Sequence, residues 1–147
     1  MPRIRTADPA APVAVQGRHP PLSRSALVAA VRRVLAGERR IAAISLTFVG
    51  KERMRELNRR WRGADRATDV LAFALEGPAG ALTGDIYVCR ALALRQAAAR
   101  HLPLRQELLR LAIHGTLHVL GYDHPEDERR TGSAMWRRQE RYLRGSL

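Results

Sequence analysis

Residues 103–124 read PLRQELLRLAIHGTLHVLGYDH, and the rest of the chain is organised around this stretch. A proline at its start, an unbroken apolar run and a glycine near its end predict one helix from Pro103 to about Leu120. Proline suits the first helical position, and glycine suits the turn that follows. His114 and His118 stand four residues apart within the run. At about 3.6 residues per turn they share one face, one turn apart, where two imidazoles can hold a common ion. Gly121 comes next, and a glycine just past a helix adopts the left-handed conformation that reverses the chain. The reversal carries His124 back toward the first pair. A single histidine on an apolar helix is usually a packed core residue. Three at i, i+4 and i+10, with glycine at i+7, point instead to a metal. Three imidazoles leave the fourth position of a tetrahedral zinc open to water, which is the catalytic rather than the structural arrangement.

The flanking segments supply a sheet and its cover. Ser23 or Ser25 can cap a helix to about Ala36, with Leu27, Val28, Val31, Val34 and Leu35 in one stripe and Gly37 as its stop. Ile41–Val49 alternates apolar with polar residues and predicts a strand. Lys51 to about Trp61 predicts a short helix with Met54 and Leu57 inward, and Arg62–Thr68 a polar loop. Asp69–Leu75 and Leu82–Cys89 predict two more strands about a Gly-Pro turn, and Ala91–Arg100 an alanine-rich helix. A last helix is expected from Pro125 to about Leu143, with Glu126, Asp127 and Glu128 in its first turn and Arg137, Arg138, Arg141 and Arg144 toward its end, charges that complement its dipole. Residues 1–21 are proline-rich and read as a loosely ordered start, with Val13–Gln16 a candidate strand. This order implies an α+β fold: residues 1–147 as a single compact domain with several helices on a small mixed sheet.

A formal charge of +12 on 147 residues implies a field that attracts polyanions. Lys51 is the only lysine; the remaining cations are arginines, whose planar fork suits phosphate. An arginine-rich composition accounts for the same count without any partner. No apolar window approaches the roughly eighteen residues of a membrane span, and the N-terminus lacks the apolar run of a signal peptide. Cys89 is the single cysteine and reads as a small buried strand residue. It excludes an internal disulfide framework and suits a reducing, cytoplasmic setting.

The histidine spacing matches the zincin pattern H-E-x-x-H-x-x-G-x-x-H at every position but one. Gly115 stands where those peptidases carry the glutamate that acts as general base, so the spacing supports a zinc hydrolase and argues against peptide hydrolysis by that route. HGTLHVLGYDH resembles the hallmark H-G-x-x-H-x-x-G-x-D-H of the YbeY family of metal-dependent endoribonucleases. Leu57-Asn58 with Arg62-Gly63, Thr68-Asp69-Val70-Leu71-Ala72-Phe73, Gly84-Asp85-Ile86 and Glu107 match further family motifs in the same order, over roughly residues 41–143. Ala72 replaces the family's usual serine, and Ala67 a common proline.

The resemblance implies a compact α+β fold with a zincin-like metal helix. It implies one Zn²⁺ on His114, His118 and His124, with Arg62 matching the family's functional arginine. It further implies single-strand endoribonuclease action on RNA rather than DNA, in maturation of the 3′ end of small-subunit (16S) ribosomal RNA and in ribosome quality control. The small ribosomal subunit and its proteins would be the partners. Read from residues alone, three imidazoles also suit nickel, copper or cobalt. Arg62 beside the metal would stabilise charge developing on a phosphoryl group; away from it, Arg62 is a solvated surface residue. Asp123 can accept a proton, orient an imidazole or cap the final helix, and the last two fit its place best. Asp69 and Asp85 read as strand carboxylates that tie down loops. Trp61 or Tyr87 can stack on bases, although Trp61 at a helix edge also reads as core; Tyr122 and Trp136 read as packing residues, and His19 and His101 as surface ones. Two other functions fit the same residues: a zinc peptidase or amidase using another base, and a basic ribosome-binding protein whose metal is mainly structural.

Overall fold

The structure, a computed structural model, describes residues 11–124 and 128–147. Four strands form one mixed sheet in the order β1-β2-β4-β3. Strand β1 (Val13–Gln16) runs parallel to β2 (Ala43–Val49), and β2 parallel to β4 (Leu82–Cys89). Strand β3 (Val70–Glu76) pairs antiparallel with β4 at the far edge. Parallel neighbours need a crossover, and α1 (Arg24–Gly37) makes the one between β1 and β2. The candidate strand Val13–Gln16 is an edge strand in register with Ile44–Thr47, while residues 1–10 of the expected loose start lie outside the described residues.

The alternation in β2 does what its pattern predicts. Ile44, Leu46 and Phe48 are buried in the main core with Leu27, Val31 and Val34 of α1. The opposite face, over β3 and β4, is covered by α2 (Lys51–Arg62), whose Met54 and Leu57 pack with Leu71 and Cys89. Helix α3 (Arg90–Ala99) follows β4 directly.

Helix α4 (Leu104–Val119) is the centre of the molecule, in contact with α1, α3, α5, β3 and β4. Twelve of its sixteen residues are buried, as expected of a helix with apolar residues on every side. Pro103 is its cap rather than its first residue, and its own backbone is extended (φ −62°, ψ 140°).

The final helix differs from expectation. Helix α5 spans Ala134–Ser146, Ser133 accepts from the Trp136 N–H as its cap, and its first turn has no acidic residue. A short 3₁₀ segment, Glu128–Gly132, precedes it. The acidic run suggested an earlier start, but Gly132 and Ser133 interrupt the helix and a serine hydroxyl supplies the cap. Residues 125–127 of the expected first turn lie outside the described residues.

Gly115 faces the sheet. A Cβ there would lie 2.6 Å from Cγ2 of Ile86, a residue only 1% exposed. Gly115→Ala should destabilise the fold by about 1–2 kcal/mol, because overpacking outweighs the better helix propensity of alanine. Urea unfolding should show a lower midpoint with an unchanged slope.

Candidate metal centre and cleft

His114 and His118 project from the last turns of α4, and His124 returns to them after the turn at Gly121. Gly121 has φ +102°, and the N–H groups of Gly121 and Tyr122 donate to the carbonyls of His118 (3.0 Å) and Leu117 (3.1 Å). This is the glycine-dependent C-terminal reversal the sequence implied. One nitrogen from each imidazole lies within 4.8 Å of the others. The Nε2 atoms of His114 and His124 are 3.3 Å apart. Two nitrogens each bound about 2.05 Å from a tetrahedral ion would be about 3.3 Å apart, so this donor set fits a small divalent metal.

The second nitrogens are held as a ligand requires. His114 Nδ1 donates to Oε1 of Gln139 at 2.5 Å, which leaves Nε2 as the lone-pair nitrogen facing His124. The orientation of that amide is itself fixed: Gln139 Nε2 donates to Glu140 Oε1 (3.2 Å), which also accepts from Arg110 Nε (2.8 Å). Arg110 closes the group by donating to the buried Glu107 at 2.6 Å. His118 bonds to the backbone of Tyr122.

Both helix histidines are biased to neutrality. Burial pushes His114 down to about 4, against the opposing hydrogen bond to Gln139, with His118, His124 and Arg130 adding like charge. Burial also lowers His118, with His124 next and Arg62 a further contributor, while Asp123 and the Tyr122 backbone oppose it. Neutral imidazole is the form that binds metal.

The histidines line a cleft of about 730 Å³ together with Arg62, Arg66, Asp69, Asp123 and Arg130. Arg62 stands at its edge, where Nη2 donates to the Ala72 carbonyl (3.2 Å) and the guanidinium lies 5.6 Å from the Phe73 ring centre. Asp123 is exposed and accepts from the His124 N–H (2.8 Å), so it braces the third histidine's turn and leaves the cap of the final helix to Ser133. Asp69 accepts from the Val70 N–H (2.8 Å) and from Gln96 (3.0 Å), tying β3 to α3. Asp85 is an exposed strand residue.

A family model described as Endoribonuclease YbeY matches residues 18–146. The chain belongs to this family. A Moorella thermoacetica protein named Endoribonuclease YbeY is 43% identical over 135 residues, which is 84% of this chain and 83% of that protein. Relatives of the same name from Sulfurihydrogenibium and Anaeromyxobacter are 47% and 48% identical, and the chain spans only 58% and 48% of their lengths. The solution structure of a Thermotoga maritima protein is similar, with a TM-score of 0.63 at 27% identity over 91% of this chain and 88% of that one.

Sequence reading did not find Gln139, Glu140 or Arg130. Gln139 lies 25 residues beyond His114 on another helix, and a glutamine in an arginine-rich segment reads as surface; here it is 1% exposed. The structure places Trp61 outside the core, at 60% exposure. His19 is half-buried against Phe48, with ring centres 5.5 Å apart, and its Nδ1 is 2.8 Å from the Leu22 carbonyl.

Replacing Gln139 with Leu should weaken metal binding by about 10–100-fold, the usual cost of losing a partner that orients a ligand. Competition with a chromogenic chelator reads this directly. In metal-free protein the folded His114 titrates at about 4 and an unfolded histidine near 6.5. A folded value below the unfolded one means that unfolding takes up a proton in this window. Stability is therefore intact above about pH 6.5 and falls by on the order of 3 kcal/mol toward pH 4. Urea unfolding of chelator-treated protein across that range should show the loss, and His114→Asn should flatten it.

Proposed function

We propose that this chain is a metal-dependent endoribonuclease, a hydrolase that cuts phosphodiester bonds in single-stranded RNA, with residues 1–147 acting as one domain. The observation that carries the proposal is the convergence of three imidazoles at the edge of a cleft that also holds Arg62, Arg66 and Arg130. Among the described residues the donor group has three members and no fourth, which favours a catalytic ion over a structural one. Zinc on His114, His118 and His124 would supply a Lewis acid and water acidified to near neutrality.

The chain's own residues then have distinct tasks. Arg62, fixed by the Ala72 carbonyl and the Phe73 ring, offers its remaining N–H groups to a phosphate's equatorial oxygens, where negative charge grows. Asp123 braces His124 through Oδ1 and, as a carboxylate lining the cleft, would be the proton acceptor. Asp69, the other cleft carboxylate, has both oxygens engaged.

A peptidase is disfavoured on steric grounds as well as chemical ones. A side chain at position 115 would run into Ile86 in the sheet instead of entering the cleft. The motif resemblance set out above carries the proposal further, to maturation of small-subunit ribosomal RNA in the cytoplasm with the small ribosomal subunit as partner.

The test is cleavage of end-labelled single-stranded RNA from the 3′ region of small-subunit ribosomal RNA by zinc-loaded protein. Activity should vanish on chelation and in His114→Ala, fall by about 10²–10³ in Arg62→Ala, and be much lower on duplex. Intact RNA bound but never cut by the zinc-loaded protein would remove the proposal.

A further inference from the structure

Trp61 is the largest exposed apolar side chain, at 60% exposure, on the last turn of α2. Its ring meets Phe73 of β3 edge-on with centres 6.2 Å apart, and Phe73 meets Tyr87 of β4 in the same way, also at 6.2 Å. Leu75, two residues beyond Phe73 and so on the same face of β3, is 62% exposed. Arginines are interleaved with this row. The Arg60 guanidinium lies 5.4 Å from the Trp61 ring centre and that of Arg62 lies 5.6 Å from Phe73. Helix α2 carries six basic and two acidic residues.

The row is continuous with the metal cleft. Arg62 touches Phe73 on one side and lines the cleft on the other. An exposed tryptophan held edge-on by a second ring presents a rigid face at little conformational cost. Aromatic faces alternating with guanidinium groups are what an unpaired nucleic acid strand recognises: bases stack, and phosphates meet cations. A folded protein with an acidic surface would satisfy the arginines but would leave the flat ring without a matching partner. Paired RNA hides its base faces and cannot use it.

We infer that Trp61 is a base-stacking platform for single-stranded RNA leaving the metal cleft, with Arg60 holding the adjoining phosphate. This rests on the ribonuclease reading above and adds the path of the strand.

The experiment is a titration of zinc-loaded protein with a fluorescein-labelled oligouridylate of twelve nucleotides, followed by anisotropy and by tryptophan emission in a Trp136→Phe background. Trp61 emission should be quenched saturably. Trp61→Ala should weaken binding about tenfold, Trp61→Phe should restore it to within about threefold, and neither should shift the melting temperature, since the ring is exposed. Oligouridylate bound and cut equally well by Trp61→Ala would overturn the platform and leave the ribonuclease reading intact. Quenching and Trp61-dependent binding without any cutting would support the platform and sink the nuclease. No binding by the wild-type protein would end both. A wild-type dimer that Trp61→Ala converts to monomers, with oligonucleotide affinity unchanged, would make this face a contact between copies and overturn the inference.

Discussion

Helix α4 can lie against β4 because two residues at their crossing have no side chain. A Cβ on Gly84 would stand 2.5 Å from Val119, and one on Gly115 2.6 Å from Ile86. With the backbones this close, α4 is enclosed by three helices and two strands. Enclosure decides the chemistry of its last turns. His114, 4% exposed, cannot hold a proton cheaply, so it is a lone-pair donor at neutral pH. The same glycine that permits the packing stands at the position where a zincin carries its glutamate.

A helix buried this deeply must also pair every polar group it carries. Glu107 and Arg110 satisfy one another, and Arg110 reaches across to Glu140 of α5. A buried ion pair adds little net stability, because desolvation offsets attraction. Its effect here is directional. Glu140 also takes the Gln139 amide, and so decides which nitrogen of His114 faces the cleft. A second node works on the third histidine. Burial of Glu38 would raise its carboxyl, but hydrogen bonds from Tyr122 and Tyr142 and the charge of Arg138 outweigh that and hold it below the usual range. Tyr122 is two residues before His124, so the metal turn is tied to the end of α1. The centre is braced from both sides by groups that never touch a metal.

What the sequence made legible was whatever is encoded locally. The alternation of Ile44, Leu46 and Phe48, the apolar run of α4, and the glycine at 121 each act within a few residues, and the elements they mark stand within one or two residues of expectation. The metal spacing is local too, since one turn and one reversal bring all three histidines together. The acidic run before residue 129 misled for the same reason: it mimics a helix start, while Ser133 performs that role. Gln139 and Glu38 could not be found this way. Their partners are 25 and 84 residues distant, and nothing about an isolated Gln or Glu distinguishes an inward from an outward side chain.

The charge of +12 divides along similar lines. Several arginines act as fasteners: Arg24 donates to the Val15 carbonyl (2.9 Å), Arg90 to that of Pro20 (2.7 Å), and Arg110 and Arg138 are paired with glutamates. Arg110 and Arg138 add little to any outward field because carboxylates match their charges, whereas Arg24 and Arg90 keep theirs. Arg62 and Arg66 stand in the cleft, and Arg130 does so with a buried Nε that has no hydrogen-bond partner among the described residues. A buried donor left unpaired costs on the order of 1–3 kcal/mol, and an incoming anion is the natural way to recover it. The fold thus uses some of its arginines as internal fasteners and places three others, Arg62, Arg66 and Arg130, around the cleft where three imidazoles converge.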